Sequence, residues 1–290
     1  MTALDTRPGV WRAVRGNRAG LAGLVILAVV VALALLAPVL TDPVALDVTR
    51  ATGARLAPPN GRFWLGTDES GRSVLLLTWW GARISLLVGL AAAALSVVIG
   101  TVVGLVAGQF GGWVAAVLMR ATDFFLVLPA LVLAIALSTV LTRGLGTIVL
   151  AIGVTSWPTT ARIVRAQTLT IRTRGYVDRA VALGGGHWHV ISKHVLPAVL
   201  PLVLANTTLN VAGAIIAEST LSFLGLGDPT QVSWGSMLNA AWTNGAVTAG
   251  AWWYLLPPGI GIVVVVLAFT LCGRALEAVV LPTRRGGGRG

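Results

Sequence analysis

The sequence predicts an all-α integral membrane protein with six transmembrane helices. Three observations lead there. Of its 290 residues, 56% are hydrophobic and only 11% are charged, whereas a soluble domain carries about a quarter charged residues. The apolar runs reach the length of roughly 20 residues that crosses a bilayer core of about 30 Å. The cations gather in the polar segments flanking those runs, most of them on one side of the predicted spans.

The elements follow in order. Residues 1–18 form a polar arm with Arg7, Arg12, Arg15 and Arg18 against Asp5, and residues 19–40 are the first span. That run is too long for a signal-peptide core and has no clear small-residue cleavage site, so it reads as an anchor. Residues 41–83 are a polar segment rich in Pro, Gly and Asp, followed by a second span at 84–106. Gly100, Gly104 and Gly108, four residues apart, make a stripe that lets another helix approach closely. A short loop over 108–123 leads to a third span at 124–141, and Arg143 and Gly144 link it to a fourth at 145–161. A basic loop covers 162–193, a fifth span 195–217, a polar and aromatic segment 218–251, and a sixth span 252–272. A basic tail occupies 274–290.

Six spans place both termini on one side. With the N-terminus inside, fifteen of the 21 Lys and Arg residues fall inside and six outside, which obeys the positive-inside rule. The net charge of +11 therefore needs no nucleic acid to explain it.

Several chemistries are missing. There is no G-x-x-x-x-G-K-[ST] phosphate loop, and the single lysine, Lys193, is followed by histidine. The lone Cys272 permits no disulfide within the chain. His187, His189 and His194 share one loop with Asp178 as the nearest acid, and read as polar residues of an interfacial helix rather than a metal site. The spans are almost empty of ionisable residues, which proton-driven pumps usually carry. Energy for transport would then come from another subunit. Trp234, Trp242, Trp252 and Trp253 read as interfacial anchors. Glu218 closes the fifth apolar run and allows two readings, part of an outer gate with Ser222, Gly225 and Gly227, or a carboxylate near the interface satisfied by local hydroxyls. The segment 221–227 is a candidate to dip back into the membrane where protein or water satisfies its backbone.

Residues 176–197, YVDRAVALGGGHWHVISKHVLP, are the longest polar break in the second half of the chain. Val177, Ala180, Leu183, Trp188, Ile191 and Val195 recur at steps of three to five, which suits short amphipathic helices. Gly184, Gly185 and Gly186 would divide them into two, and Pro197 fits the first turn of the next helix. Such a helix–turn–helix across the inner ends of the spans is a docking surface. An ordinary cytoplasmic loop is the other reading.

This stretch resembles the cytoplasmic "EAA" loop of permease subunits in ATP-binding-cassette importers of the dipeptide/oligopeptide/nickel (DppC/OppC-like) group. Asp178, Arg179 and Ala180 stand at the E-A-A positions, Gly184 at the glycine, and Leu196 and Pro197 at the end, with Asp replacing Glu and Arg the first Ala. Further matching blocks are Gly66-Thr67-Asp68 with Gly71-Arg72, then Gly81-Ala82-Arg83-Ile84-Ser85-Leu86-Leu87-Val88-Gly89, and 218–227 followed by Ser233-Trp234-Gly235.

The resemblance implies a type I importer permease fold with an extra N-terminal span, a five-helix core over 84–273 and a coupling loop at 162–195. It implies ATPase coupling through Asp178, Arg179, Ala180, Leu183, Gly184, Leu196 and Pro197. The implied partners are a second, related permease, two cytoplasmic ATPases carrying ATP and Mg, an extracytoplasmic binding protein, and membrane lipid. No cofactor, metal or nucleic acid is expected on this chain, and no enzymatic activity of its own. The expected cargo is di- or oligopeptides. The alternatives are nickel or another small solute in the same family, or a self-contained channel or secondary carrier. The expected location is a bacterial inner membrane with both termini cytoplasmic.

Overall fold

The computed structural model describes residues 17–280. Of the basic arm and tail, Arg7, Arg12, Arg15, Arg284, Arg285 and Arg289 lie outside the described residues.

The elements are α1 (Arg18–Leu40), two 3-10 turns (Pro43–Leu46 and Val48–Arg50), α2 (Val74–Phe110), α3 (Gly112–Val127), α4 (Ala130–Val140) and α5 (Leu145–Arg172). Then come α6 (Gly175–Ala182), α7 (His187–Val190), a π-helical turn (Ile191–Val195), α8 (Leu196–Phe223), α9 (Trp234–Thr243) and α10 (Trp252–Val280). Five helical stretches are long and apolar enough to cross a membrane, and α3 and α4 pass the same test only together, as a pair bent by 88°.

That bend corrects the straight third span expected at 124–141. Leu128 is extended (φ −80°, ψ 132°) and Pro129 caps α4. A residue before proline is pushed out of the helical region, and the proline itself has no N–H to continue the ladder. Other helices outrun their apolar stretches. α2 has 37 residues, roughly 55 Å at 1.5 Å per residue, and starts ten residues before the expected 84. α5 continues through Arg162 and Arg165 to Arg172, so the first third of the expected loop is helix. Arginines ended the apolar pattern there without ending the hydrogen-bond ladder.

α2 is the central strut. It packs most extensively on α5, then on α8, while α10 packs on α8 and α1. The glycine stripe explains the first contact. A Cβ at Gly100 would sit 2.6 Å from Thr160 Cβ, one at Gly104 2.6 Å from the Ala161 carbonyl, and one at Gly108 2.5 Å from Thr168 Cγ2. α1 docks on α10 through Gly23 and turns Val25, Val29, Leu35 and Val39 outward. An outer face this apolar on a long helix suits lipid.

Two hydrophobic clusters form the interior. The larger joins Leu77 and Leu86 of α2, Ile148 of α5, Ile215 of α8, Trp234 of α9 and Tyr254 of α10. The smaller joins Leu105 of α2, Val164 and Ile171 of α5, Val177 of α6, Val190 of α7, and Val199 of α8. They lie towards opposite ends of the bundle, called here the loop end and the elbow end.

Candidate functional site

The elbow is built from α6, α7 and the turn between them. α6 stops because Gly184 adopts φ +88°, a conformation that glycine reaches without the steric cost of a Cβ. Gly184 N donates to the Val181 carbonyl and Gly185 N to the Ala180 carbonyl, both at 2.9 Å. This is the paired cap that satisfies the last carbonyls of a helix. A Cβ at Gly185 would lie 2.6 Å from that same Ala180 oxygen.

After the turn, the chain is helical from His187 to Phe223, with one widened turn. Leu196 N donates to Ile191 O, five residues back. Pro197 supplies the reason: a proline ring clashes with the carbonyl four residues before it and donates nothing. One π turn absorbs that mismatch, as such turns often do at functional sites.

The inner face of the elbow is anchored. Val177, Val190, Ile191 and Val195 are buried in the smaller cluster. Arg172 Nη1 donates to Gly108 O at 2.8 Å, Gln109 Nε2 meets His187 Nδ1 at 3.2 Å, and Phe110 packs on His187 and Trp188. The outer face is bare. Leu183 is 89% exposed and Trp188 68%, with Tyr176 and Val181 about half exposed. Asp178 and Arg179 are exposed and Ala180 half-buried. Tyr176, Arg179, Ala180, Leu183, Gly184 and His189 border a shallow hollow of 580 Å³. Of the predicted coupling residues, the structure brings Arg179, Ala180, Leu183 and Gly184 around this hollow. Leu196 and Pro197 stand apart, at the root of α8.

Two of the residues read from the sequence as an outer gate, Glu218 and Ser222, form a buried plug at the loop end, and Gly225 and Gly227 are half-buried beside it. Glu218 is 1% exposed and Ser222 3%. The hydroxyls of Ser222 and Ser219 donate to the Glu218 carboxyl at 2.8 and 3.3 Å, and Ser85 and Ser233 also face it. Three segments therefore converge on one carboxyl: α2, α8 and the cap of α9. Gly225, at φ +78°, ends α8 with the same paired cap as Gly184, and Gly227 lies against Ser222. The chain turns there rather than dipping back as a separate segment.

Trp234 is corrected from interfacial anchor to core. It is 2% exposed, donates from Nε1 to the Thr78 carbonyl at 2.9 Å, and rests on Gly81 and Gly261. Trp242 and Trp252 do face outward.

The Gly66–Arg72 block is a folded turn. Asp68, fully buried, accepts from Ser70 N, Arg72 N and Arg72 Nε at 2.7 to 2.9 Å. Gly66 O accepts from Val74 N and so satisfies the first free N–H of α2. Beside it, Arg72, Trp80, Arg83 and Asp228 border a hollow of 400 Å³. The Thr230 hydroxyl and N–H bind Asp228 and hold its carboxyl below the usual carboxylate range.

A concavity of 730 Å³ forms a groove between the α3–α4 bend, α5 and α8. Asn206, Asn210, Thr155, Ser156 and Thr220 give it polar points in an apolar wall, and Glu218 and Ser222 do not line it. Sequence reading passed over Asn206 and Asn210, although two carboxamides four residues apart in an apolar span mark one helix face.

Comparison with known proteins follows the same lines. Residues 100–286 match the family described as "Binding-protein-dependent transport system inner membrane component". Residues 9–59 match the "N-terminal TM domain of oligopeptide transport permease C". The chain is 38% identical over 284 residues to the dipeptide transport system permease protein DppC of Bacillus subtilis (strain 168), covering 98% of this chain and 88% of that one. It is 35% identical over 274 residues to the oligopeptide transport system permease protein OppC of the same organism, covering 93% and 88%.

Proposed function

We propose a function from one premise: the chain belongs to the family of inner-membrane components of binding-protein-dependent transport systems. It is the membrane-spanning permease subunit of an importer that carries di- or oligopeptides, the cargo class named for its DppC and OppC relatives. ATP and Mg are bound and ATP is hydrolysed on two separate ATPase subunits. A second, related permease completes the pathway, and an extracytoplasmic binding protein delivers the peptide. Both termini and the elbow face the cytoplasm, and the loop end faces outward.

The observation that carries this reading is the two-faced elbow. Its outer side offers Leu183, Trp188 and Tyr176 to a partner, with Arg174, Arg179 and Lys193 around them. Its inner side is packed on α2, α5 and α8 through Val177, Val190, Ile191 and Val195. A close-packed interior transmits displacement rather than absorbing it. When nucleotide draws the ATPases together, the elbow moves with them and carries the roots of α5 and α8. That motion shifts the population between inward-open and outward-open states.

Leu183→Asp tests the reading. Leu183 touches little within its own chain, so the variant inserts normally, yet it loses ATPase docking and binding-protein-dependent peptide uptake in reconstituted vesicles. Peptide flux through vesicles holding this chain without ATPase would replace the reading with a self-contained carrier.

A further inference from the structure

The groove between the α3–α4 bend, α5 and α8 carries a pair of amides whose arrangement is specific. Asn206 Nδ2 donates to Thr160 Oγ1 at 3.1 Å, and Asn210 Nδ2 to the same oxygen at 3.3 Å and to the main-chain carbonyl of Asn206 at 3.0 Å. Thr160 is fully buried. It holds its place because Gly100 of α2 leaves room for it; a Cβ there would overlap Thr160 Cβ. One hydroxyl thus fixes both carboxamides by their NH₂ groups. The two Oδ1 atoms accept no hydrogen bond among the described residues, yet neither is buried. Both residues line the groove, at the middle of a 28-residue membrane helix.

Acceptors at that depth are costly against lipid. The groove wall bears no Asp, Glu, Lys or Arg, so the acceptors do not serve an ion pair within the wall. What suits two neutral oxygens four residues apart on one helix face is a ligand with several N–H donors. Apolar neighbours such as Leu131, Ile152 and Leu209 make room for side chains without selecting among them. A peptide main chain has that chemistry: repeated N–H groups whatever the sequence.

We infer that Asn206 and Asn210, oriented by Thr160, form a main-chain-reading point on the translocation path. Their carboxamide oxygens accept hydrogen bonds from the backbone N–H groups of the passing peptide. This rests on the reading of the chain as a peptide permease. Asn206 and Asn210 are specificity residues, and Thr160 and Gly100 are positioning residues behind them.

The test uses the complete complex in proteoliposomes, with its partner permease, ATPases and binding protein. Trialanine is compared with trialanine methylated at the peptide nitrogen of its second residue. The binding protein contributes the same preference in every preparation, so dividing the uptake ratio of the wild type by that of a variant isolates the permease. The wild type is expected to prefer the unmethylated peptide by about three- to tenfold more than Asn206→Leu/Asn210→Leu does, the worth of one hydrogen bond. Thr160→Val is expected to lose part of that preference, and Asn210→Gln, which keeps an acceptor, to retain most of it. An unchanged ratio in the double variant, with uptake merely reduced, would overturn the inference. So would loss of the partner permease from the purified variant complex, since the amides would then belong to a subunit interface. A wild type that takes up neither peptide would instead reject the peptide reading itself.

Discussion

The two ends of the bundle use the same local device for different purposes. Gly184 at the elbow and Gly225 at the loop end both sit at positive φ and close a helix with the same paired hydrogen bonds. Beyond that cap they diverge. At the loop end the chain folds back on itself: Glu218, Asp68 and Trp234 are 1%, 0% and 2% exposed, and each has polar partners. At the elbow the chain turns its apolar residues outward, with Leu183 89% exposed. Among the described residues no ion pair ties the elbow down. One end is completed by its own chain, and the other leaves an apolar face uncovered. Stability and coupling should therefore respond to different residues.

Glu218→Ala should separate the ends most strongly. It leaves Ser85, Ser219, Ser222 and Ser233 around an empty, buried site, and each unpaired group costs about 1–3 kcal/mol. We expect a loss of about 3 kcal/mol, read as a fall in the thermal midpoint of the purified complex. A midpoint within a degree of wild type would mean that the plug does not hold the loop end together.

Gly104→Val comes next, at about 2 kcal/mol. The new side chain would meet the Ala161 carbonyl and Val164 and wedge α2 from α5, which both ends share. The same thermal scan checks it, and an unchanged midpoint would show that the two helices separate freely.

Leu183→Asp should move the midpoint least, by under about 0.5 kcal/mol as for a surface change, while lowering uptake by at least tenfold. A large stability loss here would erase the contrast between the ends.

Much of this was legible in the sequence, because the signals were local. The triple glycine and the spacing of Val177, Leu183 and Val195 marked the two helices of the elbow and the break between them. The four-residue spacing of Gly100, Gly104 and Gly108 marked a close approach, though not the partner helix. What escaped depended on tertiary context or on a rule set aside. Pro129 lay inside an apolar run, and hydropathy carried the third span straight through it. Arg83 and Arg162 ended apolar windows but not helices, since a helix continues beyond the bilayer. Trp234 has the composition of an interfacial anchor, and only the space left by Gly81 and Gly261 draws it inside. The Asn206–Asn210 pair was visible as a pattern. Its meaning required Thr160, 46 residues away from Asn206.

The central claim is that the bare face of the elbow looks into the cytoplasm and is covered there by the ATPases. A single cysteine at position 183 tests it, with Cys272, the one native cysteine and a buried one, replaced by alanine. A membrane-impermeant maleimide should leave this residue untouched in intact cells. It should label it in inside-out vesicles stripped of ATPase subunits, and labelling should fall when those subunits are restored. Labelling in intact cells, or no protection on restoring the ATPases, would contradict the account.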